Sequence, residues 1–486
     1  MFALPRSALF VVALLSAIRT YCAFHFPLTE DETYYWTWSR RLAFGYVDHP
    51  PMVAWLIALT APLGSNPGFI RLPFILCDGL AALALGRTAI LLSGEAQAGA
   101  AAAIAFSMIP QVRFAFGAAT PDPPFLLCWS LALMFSAQAL SKGVTRRGMC
   151  MLGLALGGAM LSRFFGWALL GGIIAFALAP QRPTLRRRGF WIAPLVALAL
   201  YAPFIVWNAT HHWLNFKFTV SDRQNFQPFS FKHLDVLSTE RLVLYAVVML
   251  VLGYFLALRS RNALIAWTAL PFPAFLAFLS FFEVVESYWL LGPLASLCVG
   301  IGMQCARLPL PARRSLFVFA LPIAYSTIYV LFLTLPEPTQ AILLRSARNG
   351  PFWGSSSFTY RPLAGDIRSL SAKGSAAAMT DRFYIASELA YYGLDPLIVG
   401  RSPQVGQWRQ WHDPNATPDR ALLITITPLT DDLPLLHEME GAYASISAGP
   451  VLQNAYAGIL GPKYFTTWCS KPKKDAAASL YGSYGS

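Results

Sequence analysis

The segment "TEDETYYWTWSRRLAFGYVDHPPMVAWLIALTAPLG", residues 29–64, separates two apolar runs near 5–25 and 68–92. Each run is long enough to cross a membrane, since a spanning helix needs about 20 mostly apolar residues. The segment begins with Thr29 followed by three acids, a pattern that caps a helix and places negative charge in its first turn. Two adjacent prolines then start an apolar stretch of about 13 residues, which is too short to span. We therefore predict two short amphipathic helices that lie along a membrane surface.

The composition of the whole chain supports a membrane location. Of its 486 residues, 56% are hydrophobic and 13% are charged, whereas a soluble domain has about 45–50% and about 25%. This composition argues against a soluble cytoplasmic enzyme and excludes a disordered or fibrous protein. The net charge of +13 does not indicate nucleic-acid binding, because the basic residues are spread over several loops.

Apolar runs predict roughly eleven membrane helices. They lie near 5–25, 68–92, 97–116, 123–141, 148–163, 164–180, 190–208, 241–258, 263–282, 288–305 and 315–335. The block 148–180 is broken at Ser162-Arg163 and fits either two short helices or one tilted helix. The fold class is thus an all-α polytopic membrane protein with a small C-terminal α/β domain.

Basic residues predict the orientation of the chain. They are concentrated in connections that follow even-numbered runs: Lys142, Arg146, Arg147, Arg182, Arg186, Arg187, Arg188, Arg259, Arg261, Arg307, Arg313 and Arg314. Cytoplasmic loops carry such residues. We therefore expect a multi-pass protein of the inner (plasma) membrane with a cytoplasmic N-terminus and an extracytoplasmic C-terminal domain.

The expected domains follow from hydropathy. Residues 1–335 form the membrane domain, with outer loops at 26–67 and 209–240, residues 336–470 form an extracytoplasmic soluble domain, and residues 471–486 form a disordered tail. Within the soluble domain we predict an amphipathic helix at 382–393 and buried strands at 395–400 and 421–427.

Two acids fall on the predicted outer face of the membrane. Asp31 lies in the first surface helix, and Asp122 lies in a proline-rich turn between two apolar runs. A carboxylate there can act as a general base, with a second one as its partner. The alternative for each acid is a plain helix N-cap.

Six motifs carry a resemblance to a known family: "DETYYWTWSRRLAFGYVDHPPMVAWL", "RLPF", "TPDPPFLLCW", "LSRFFGW", "NATHHWLNFKF" and "YIASELAYYG". In this order and spacing they resemble the polytopic GT-C glycosyltransferases. The similarity is greatest to the family-39-like branch, which includes the aminoarabinose and galacturonic acid transferases of lipid A and relatives of protein O-mannosyltransferases. It covers roughly residues 5–335 and extends weakly into the C-terminal domain.

The resemblance implies a fold of roughly eleven to thirteen membrane helices and transfer of a sugar from a polyprenyl phosphate to an extracytoplasmic acceptor. The family's acid in the first loop matches Asp31, with Glu32 beside it, and its second acid matches Asp122. A metal-binding acid of some relatives falls on Asp48. The following position, often Lys in those relatives, is His49 here.

Arg163 is an ionisable side chain in an apolar stretch, which by default suggests function. Arg makes bidentate phosphate contacts and stays charged at any relevant pH, so it suits a lipid-phosphate leaving group. The alternative is snorkelling to the interface. His49 and Arg223 are further candidate phosphate contacts. With Asp31 as the base, a single displacement inverts the anomeric carbon and needs no carboxylate nucleophile.

A divalent metal is a further hypothesis. Asp48 and Asp222, with His211 or His212, offer ligands for Mg²⁺, Mn²⁺ or Zn²⁺. Adjacent histidines on a helix point in different directions, so the alternative is interfacial histidines beside a tryptophan belt.

Two other function classes remain open at this stage. A transporter or flippase of a lipid-linked sugar would carry polar groups at mid-membrane and broken helices in matching halves, whereas the acids here cluster at one face. A non-catalytic subunit of the same fold is the other alternative. The expected partners are the lipid-linked sugar, membrane lipids and an acceptor hydroxyl or phosphate on lipid A, another glycolipid, a glycan or a protein; nucleic acid is not expected.

Overall fold

The computed structural model describes residues 4–107, 109, 118–179, 188–219, 262–279, 281–282, 287–306, 357–400, 403–409, 411, 417–456, 459–474, 476 and 480. The chain divides into two compact units. The membrane unit comprises Met1–His25 and His49–Val330, and the α/β unit comprises Phe26–Asp48 and Leu331–Ser486. The segment that ends at Asp48 therefore groups with the C-terminal part of the chain.

The helices, in chain order, are α1 (Arg6–His25), α2 (Glu30–Ser39), α3 (Met52–Thr60), α4 (Pro67–Ser93), α5 (Ala96–Ser107), α6 (Asp122–Lys142), α7 (Arg146–Ser162), α8 (Gly166–Leu178), α9 (Ile192–Thr210), α10 (Leu214–Lys217), α11 (Ala263–Ala269), α12 (Pro271–Leu279), α13 (Leu291–Cys305), α14 (Ser357–Gly374), α15 (Phe383–Tyr391), α16 (Pro403–Arg409) and α17 (Leu433–Ala442). The strands are β1 (Ala377–Thr380), β2 (Leu397–Ile398), β3 (Arg420–Thr425), β4 (Tyr443–Ala448), β5 (Leu452–Tyr456) and β6 (Ile459–Pro472). Short 3-10 turns lie at Ala61–Leu63, Arg188–Trp191, Ser287–Leu290 and Leu429–Asp431.

Five of the predicted membrane helices are confirmed in the described part of the chain. Five helical stretches are long and apolar enough to cross a membrane: Arg6–His25, Pro67–Ser93, Asp122–Lys142, Gly189–Thr210 and Tyr288–Cys305. The block 148–180 forms two helices, α7 and α8, and the run 263–282 is also broken, into α11 and α12. The runs near 241–258 and 315–335 lie outside the described residues.

Small residues allow the membrane helices to pack closely. A Cβ on Gly86 of α4 would lie 2.8 Å from the Gly99 carbonyl oxygen of α5, and a Cβ on Gly153 of α7 would lie 2.6 Å from the Ala193 carbonyl oxygen of α9. Close backbone approach through small residues is the usual way in which helices associate in lipid. Large apolar side chains such as Leu195 point outward, as expected where a lipid phase replaces water.

The α/β unit is built on a six-stranded sheet with the order β2-β1-β3-β6-β4, and β5 pairs with β6. Strands β1, β2 and β3 are parallel, whereas β6 runs antiparallel to its neighbours β3, β4 and β5. The predicted helix at 382–393 and the strands at 395–400 and 421–427 appear as α15, β2 and β3. The four remaining strands were not predicted.

Two apolar clusters cover the sheet. One contains Met379, Leu423 and Met439, and the other contains Leu363, Leu389 and Leu422. Consecutive strand residues such as Leu422 and Leu423 belong to different clusters, because side chains alternate between the two faces of a sheet. In the segment predicted to be a disordered tail, Ala476 and Leu480 are buried in the first cluster. Burial of these two apolar side chains against the sheet explains why both positions are ordered, where the prediction was disorder.

Candidate active site

Asp122 and Arg163 form an ion pair inside the membrane unit. The Arg163 Nε atom lies 2.8 Å from Asp122 Oδ1, and Nη2 donates a hydrogen bond of 3.1 Å to Oδ2. The Arg163 side chain is 8% exposed and that of Asp122 is 19% exposed. A guanidinium that meets a carboxylate at two points fixes the orientation of both groups. The structure thus joins two residues that the sequence singled out for different reasons.

The local sequence places both members of the pair at helix ends. Asp122 is the first residue of α6, where the helix dipole favours a carboxylate. The prolines that follow it cost no hydrogen bond, because N–H groups in the first turn of a helix have no partner within the helix. Arg163 is the C-cap of α7, with an extended backbone at φ −149° and ψ 148°. The chain resumes a helix at Gly166, whose N–H donates to the Arg163 carbonyl oxygen at 2.9 Å. The break between α7 and α8 therefore allows the Arg163 side chain to reach Asp122.

Aromatic rings surround the guanidinium. The Arg163 Cζ atom lies 5.0 Å from the centre of the Tyr288 ring and 5.8 Å from that of Phe165. A cation within about 6 Å of a ring centre is attracted to its face. Tyr288 lies in the 3-10 turn Ser287–Leu290, which precedes α13, and the sequence did not assign it this role.

Gly166 controls the position of Arg163. A Cβ at Gly166 would lie 2.6 Å from backbone atoms of Ala159 and Met160, so Gly166→Ala must move the start of α8. We expect the sugar transfer that the resemblance implies to fall roughly 10–100-fold through misplacement of the guanidinium. The measurement is kcat/KM of the purified variant, with Gly171→Ala in the same helix as a control, because a Cβ at Gly171 meets nothing within 4 Å. Equal activity of the two variants would contradict the positioning role of the α7–α8 junction.

The acids at the start of α2 have distinct environments. Glu32 is fully buried and accepts hydrogen bonds from the Thr29 N–H at 2.9 Å and from the Thr29 hydroxyl at 3.1 Å. This is the reciprocal capping box predicted from the sequence. Asp31 is half-buried in the same first turn. Of the two adjacent acids, Glu32 thus caps the N-terminus of α2, while Asp31 carries the more exposed carboxylate.

Asp48 closes the first segment of the α/β unit. Its Oδ1 accepts a hydrogen bond from Gln404 Nε2 at 3.2 Å, and the Val47 N–H donates to Gln407 Oε1 at 3.0 Å. Burial and the nearby Asp48 carboxylate raise the pKa of the Tyr34 phenol well above its ordinary range, so this phenol stays protonated. The two glutamines of α16 position this segment, and they lie too far away in sequence for any local pattern to reveal them.

Three of the candidate metal ligands, Asp48, His211 and His212, lie in the described part of the chain. Among the described residues no group of three or more His, Cys, Asp or Glu is placed to hold a metal ion. The His211 ring stacks on Trp207 with its centre 4.3 Å away, and its Nδ1 lies 2.8 Å from the Trp207 carbonyl oxygen. His212 has a left-handed backbone with φ 55°. Because Asp222 lies outside the described residues, the metal hypothesis stays a prediction, and we derive no step through a metal.

Of the three predicted phosphate or metal contacts that remain, the structure describes one. His49, the first residue of the second segment of the membrane unit, is half-buried. Asp222 and Arg223 lie outside the described residues. Asp78 of α4 is a buried acid to which the sequence assigns no function. Its Oδ2 atom lies 3.7 Å from the Nη1 atom of Arg19 in α1. That pair joins two membrane helices.

The comparisons with known proteins first define the fold. The chain aligns with two crystal structures of ArnT from Cupriavidus metallidurans, one in the apo state and one bound to undecaprenyl phosphate. The TM-scores are 0.61 and 0.62 at 13% sequence identity, and each alignment covers 94% of this chain and 97% of ArnT. The predicted GT-C type of polytopic fold with a C-terminal sheet-containing domain is confirmed.

Two sequence matches cover part of the chain. Residues 48–207 match the family described as dolichyl-phosphate-mannose-protein mannosyltransferase. Over 217 residues the chain is 33% identical to the lipid A galacturonosyltransferase RgtD of Rhizobium johnstonii. That match covers 43% of this chain and 44% of RgtD, so the chain matches less than half the length of this relative. Both matches agree with the resemblance drawn from the sequence motifs.

Proposed function

We propose that this protein is a membrane glycosyltransferase that moves a monosaccharide from a polyprenyl phosphate to an acceptor hydroxyl or phosphate. The observation that carries the proposal is the Asp122–Arg163 ion pair with its 2.8 Å contact, held at two helix ends among aromatic rings. A buried guanidinium beside a carboxylate suits an anionic lipid-phosphate leaving group. The ArnT-like fold and the partial match to a lipid A galacturonosyltransferase support the same function.

The proposed chemistry is one displacement. Asp31 accepts the proton of the acceptor hydroxyl while the acceptor oxygen forms a bond to the anomeric carbon. The bond between that carbon and the phosphate oxygen breaks, and polyprenyl phosphate leaves with the electron pair. Because attack and departure occur on opposite sides, the anomeric configuration inverts.

Arg163 has five N–H groups, and the ion pair with Asp122 engages two of its nitrogens. Its other N–H groups bind the leaving phosphate, with His49 and Arg223 as further phosphate contacts. Asp122 holds the guanidinium in this orientation. Glu32 serves the reaction indirectly through the α2 cap.

The proposal also covers the acceptor and the location of the protein in the cell. The partial match to RgtD favours a lipid A-type glycolipid as acceptor. The helices long and apolar enough to span show a multi-pass membrane protein. The arginine-rich connections support an inner-membrane orientation with a cytoplasmic N-terminus and an extracytoplasmic α/β unit.

The test is mass spectrometry of envelope lipids and glycans from a strain that lacks the gene. We expect one product to lose a single sugar mass and the corresponding polyprenyl-phosphate sugar to accumulate. Complementation with the wild-type gene should restore the product, whereas Asp31→Asn should not. An unchanged lipid and glycan profile in the deletion strain would contradict the proposal.

A further inference from the structure

A buried chain of polar side chains, which the proposed chemistry does not use, joins three helices of the membrane unit. Trp129 of α6 donates a hydrogen bond of 2.9 Å from Nε1 to Ser296 Oγ in α13. Thr268 Oγ1 of α11 lies 3.0 Å from the same Ser296 oxygen. Trp129 and Ser296 are 0% exposed and Thr268 is 3% exposed, so all three polar groups depend on protein partners for their hydrogen bonds.

One arrangement of the protons satisfies every group in this chain. Thr268 Oγ1 lies 2.9 Å from the Leu264 carbonyl oxygen, which can only accept, so Thr268 donates its proton there. Ser296 then donates to Thr268 Oγ1 and accepts the N–H of Trp129. In the reverse arrangement, with Thr268 donating to Ser296, the Ser296 proton has no acceptor among the described residues. Ser296 is therefore the link between the indole of α6 and the hydroxyl of α11.

A close contact at the same point fixes how α6 lies on α13. A Cβ on Gly292 would lie 2.7 Å from ring atoms of Trp129, so the indole occupies the space that the missing side chain leaves. Gly292 precedes Ser296 by four residues, about one turn of α13. The indole is thus held at two places on one helix, by van der Waals contact with Gly292 and by its hydrogen bond to Ser296.

Both helices lead from this contact to the candidate site. Asp122 lies seven residues before Trp129, so the two side chains share one face of α6. Tyr288 lies eight residues before Ser296, in the turn that runs directly into α13. The Tyr288 ring centre lies 5.0 Å from the Arg163 Cζ atom. The position of α13 on α6 therefore determines where the Tyr288 ring lies relative to the ion pair.

We propose that Ser296 is a positioning residue for the donor-phosphate site. Its hydrogen bond to Trp129 fixes α13 on α6 and thereby holds the Tyr288 ring against the Arg163 guanidinium. Without this bond α13 can shift on α6, and the guanidinium loses the attraction of the ring that orients it. The inference rests on the proposed function in taking Arg163 as the group that binds the donor phosphate.

The experiment is equilibrium binding of undecaprenyl phosphate to the purified full-length protein in nanodiscs, measured together with thermal unfolding. Ser296→Ala leaves the buried Trp129 N–H without its acceptor, so the unfolding temperature should fall. The Kd should rise by roughly 3–10-fold, the contribution of a partly desolvated cation–π contact. The matched control is Ser130→Ala, because buried Ser130 is the neighbour of Trp129 but donates to the Leu126 carbonyl oxygen of its own helix at 2.7 Å. The control should leave the Kd unchanged.

Thr268→Val separates positioning from stability. It keeps the shape of the side chain and removes the acceptor of the Ser296 proton, while the hydrogen bond between Trp129 and Ser296 remains. The unfolding temperature should fall and the Kd should stay at the wild-type value. A Kd that rises equally in Thr268→Val would show that binding only follows stability, and it would overturn the proposal.

A second variant covers the case in which Ser296→Ala does not fold. Trp129→Phe keeps an aromatic ring against Gly292, removes the N–H and leaves the Ser296 bond to Thr268 in place. We expect a raised Kd in this variant also, and a wild-type Kd would overturn the proposal.

The wild-type result separates this inference from the proposed function. Wild-type protein that binds no undecaprenyl phosphate contradicts the proposed donor, and the role of Ser296 fails with it. Wild-type binding that Ser296→Ala leaves unchanged overturns the role of Ser296 alone and leaves the proposed function standing.

Discussion

Replacement of Asp31 by Asn is expected to lower sugar transfer by roughly 10²–10⁴-fold, the usual contribution of a general base. The amide keeps the size of the side chain and its place in the first turn of α2, but it cannot accept the acceptor proton. The measurement is kcat in purified membranes supplied with polyprenyl-phosphate sugar. Expression and donor KM should stay close to those of the wild type, because the carboxylate is assigned to the acceptor side of the reaction.

The control for this prediction is Glu95→Gln, which removes one carboxylate charge from an exposed position between α4 and α5. It should leave kcat unchanged. Glu32→Gln is a second comparison, since it weakens only the cap that Thr29 completes and should cost about 1 kcal/mol of helix stability. Full activity of Asp31→Asn would remove Asp31 from the base role.

Replacement of Arg163 by Ala is expected to raise the donor KM by roughly 10–100-fold, because hydrogen bonds to charged groups contribute about 1.5–3 kcal/mol. The change also leaves the Asp122 carboxylate, with 19% of its side chain exposed, without its guanidinium. Thermal unfolding should therefore shift downward in Arg163→Ala and recover in part in the double variant Arg163→Ala/Asp122→Asn. Arg163→Lys keeps a charge but cannot reproduce the two-point contact, so its donor KM should be intermediate.

The matched control is Arg146→Ala, because Arg146 begins the same helix α7 at its other end and is exposed. Its donor KM should equal that of the wild type. If Arg163→Ala also shows an unchanged donor KM, Arg163 is an interfacial anchor for α7 and has no phosphate role.

The features that the sequence predicted well depend on local patterns. The Thr29–Glu32 capping box is a four-residue pattern, and the structure forms it with a 2.9 Å bond. The break at Ser162-Arg163 follows from a charged residue in an apolar run and produces the two helices α7 and α8. The predicted membrane helices are long apolar runs, for which hydropathy is a direct physical signal.

The features that could not be predicted depend on distant contacts. The hydrogen bond between Val47 and Gln407 joins residues 360 positions apart, and no local pattern encodes it. Asp122 and Arg163 were each singled out, but their pairing depends on the packing of α6 against α7.

The central claim is that this protein cleaves the bond between a sugar and a polyprenyl phosphate. It is tested most directly by counting products after incubation of the purified protein in vesicles with polyprenyl-phosphate sugars extracted from the deletion strain. We predict one free polyprenyl phosphate for each sugar found on the acceptor, and neither product with Asp31→Asn. Movement of intact lipid-linked sugar across the vesicle membrane without release of polyprenyl phosphate would contradict the account and identify a flippase instead.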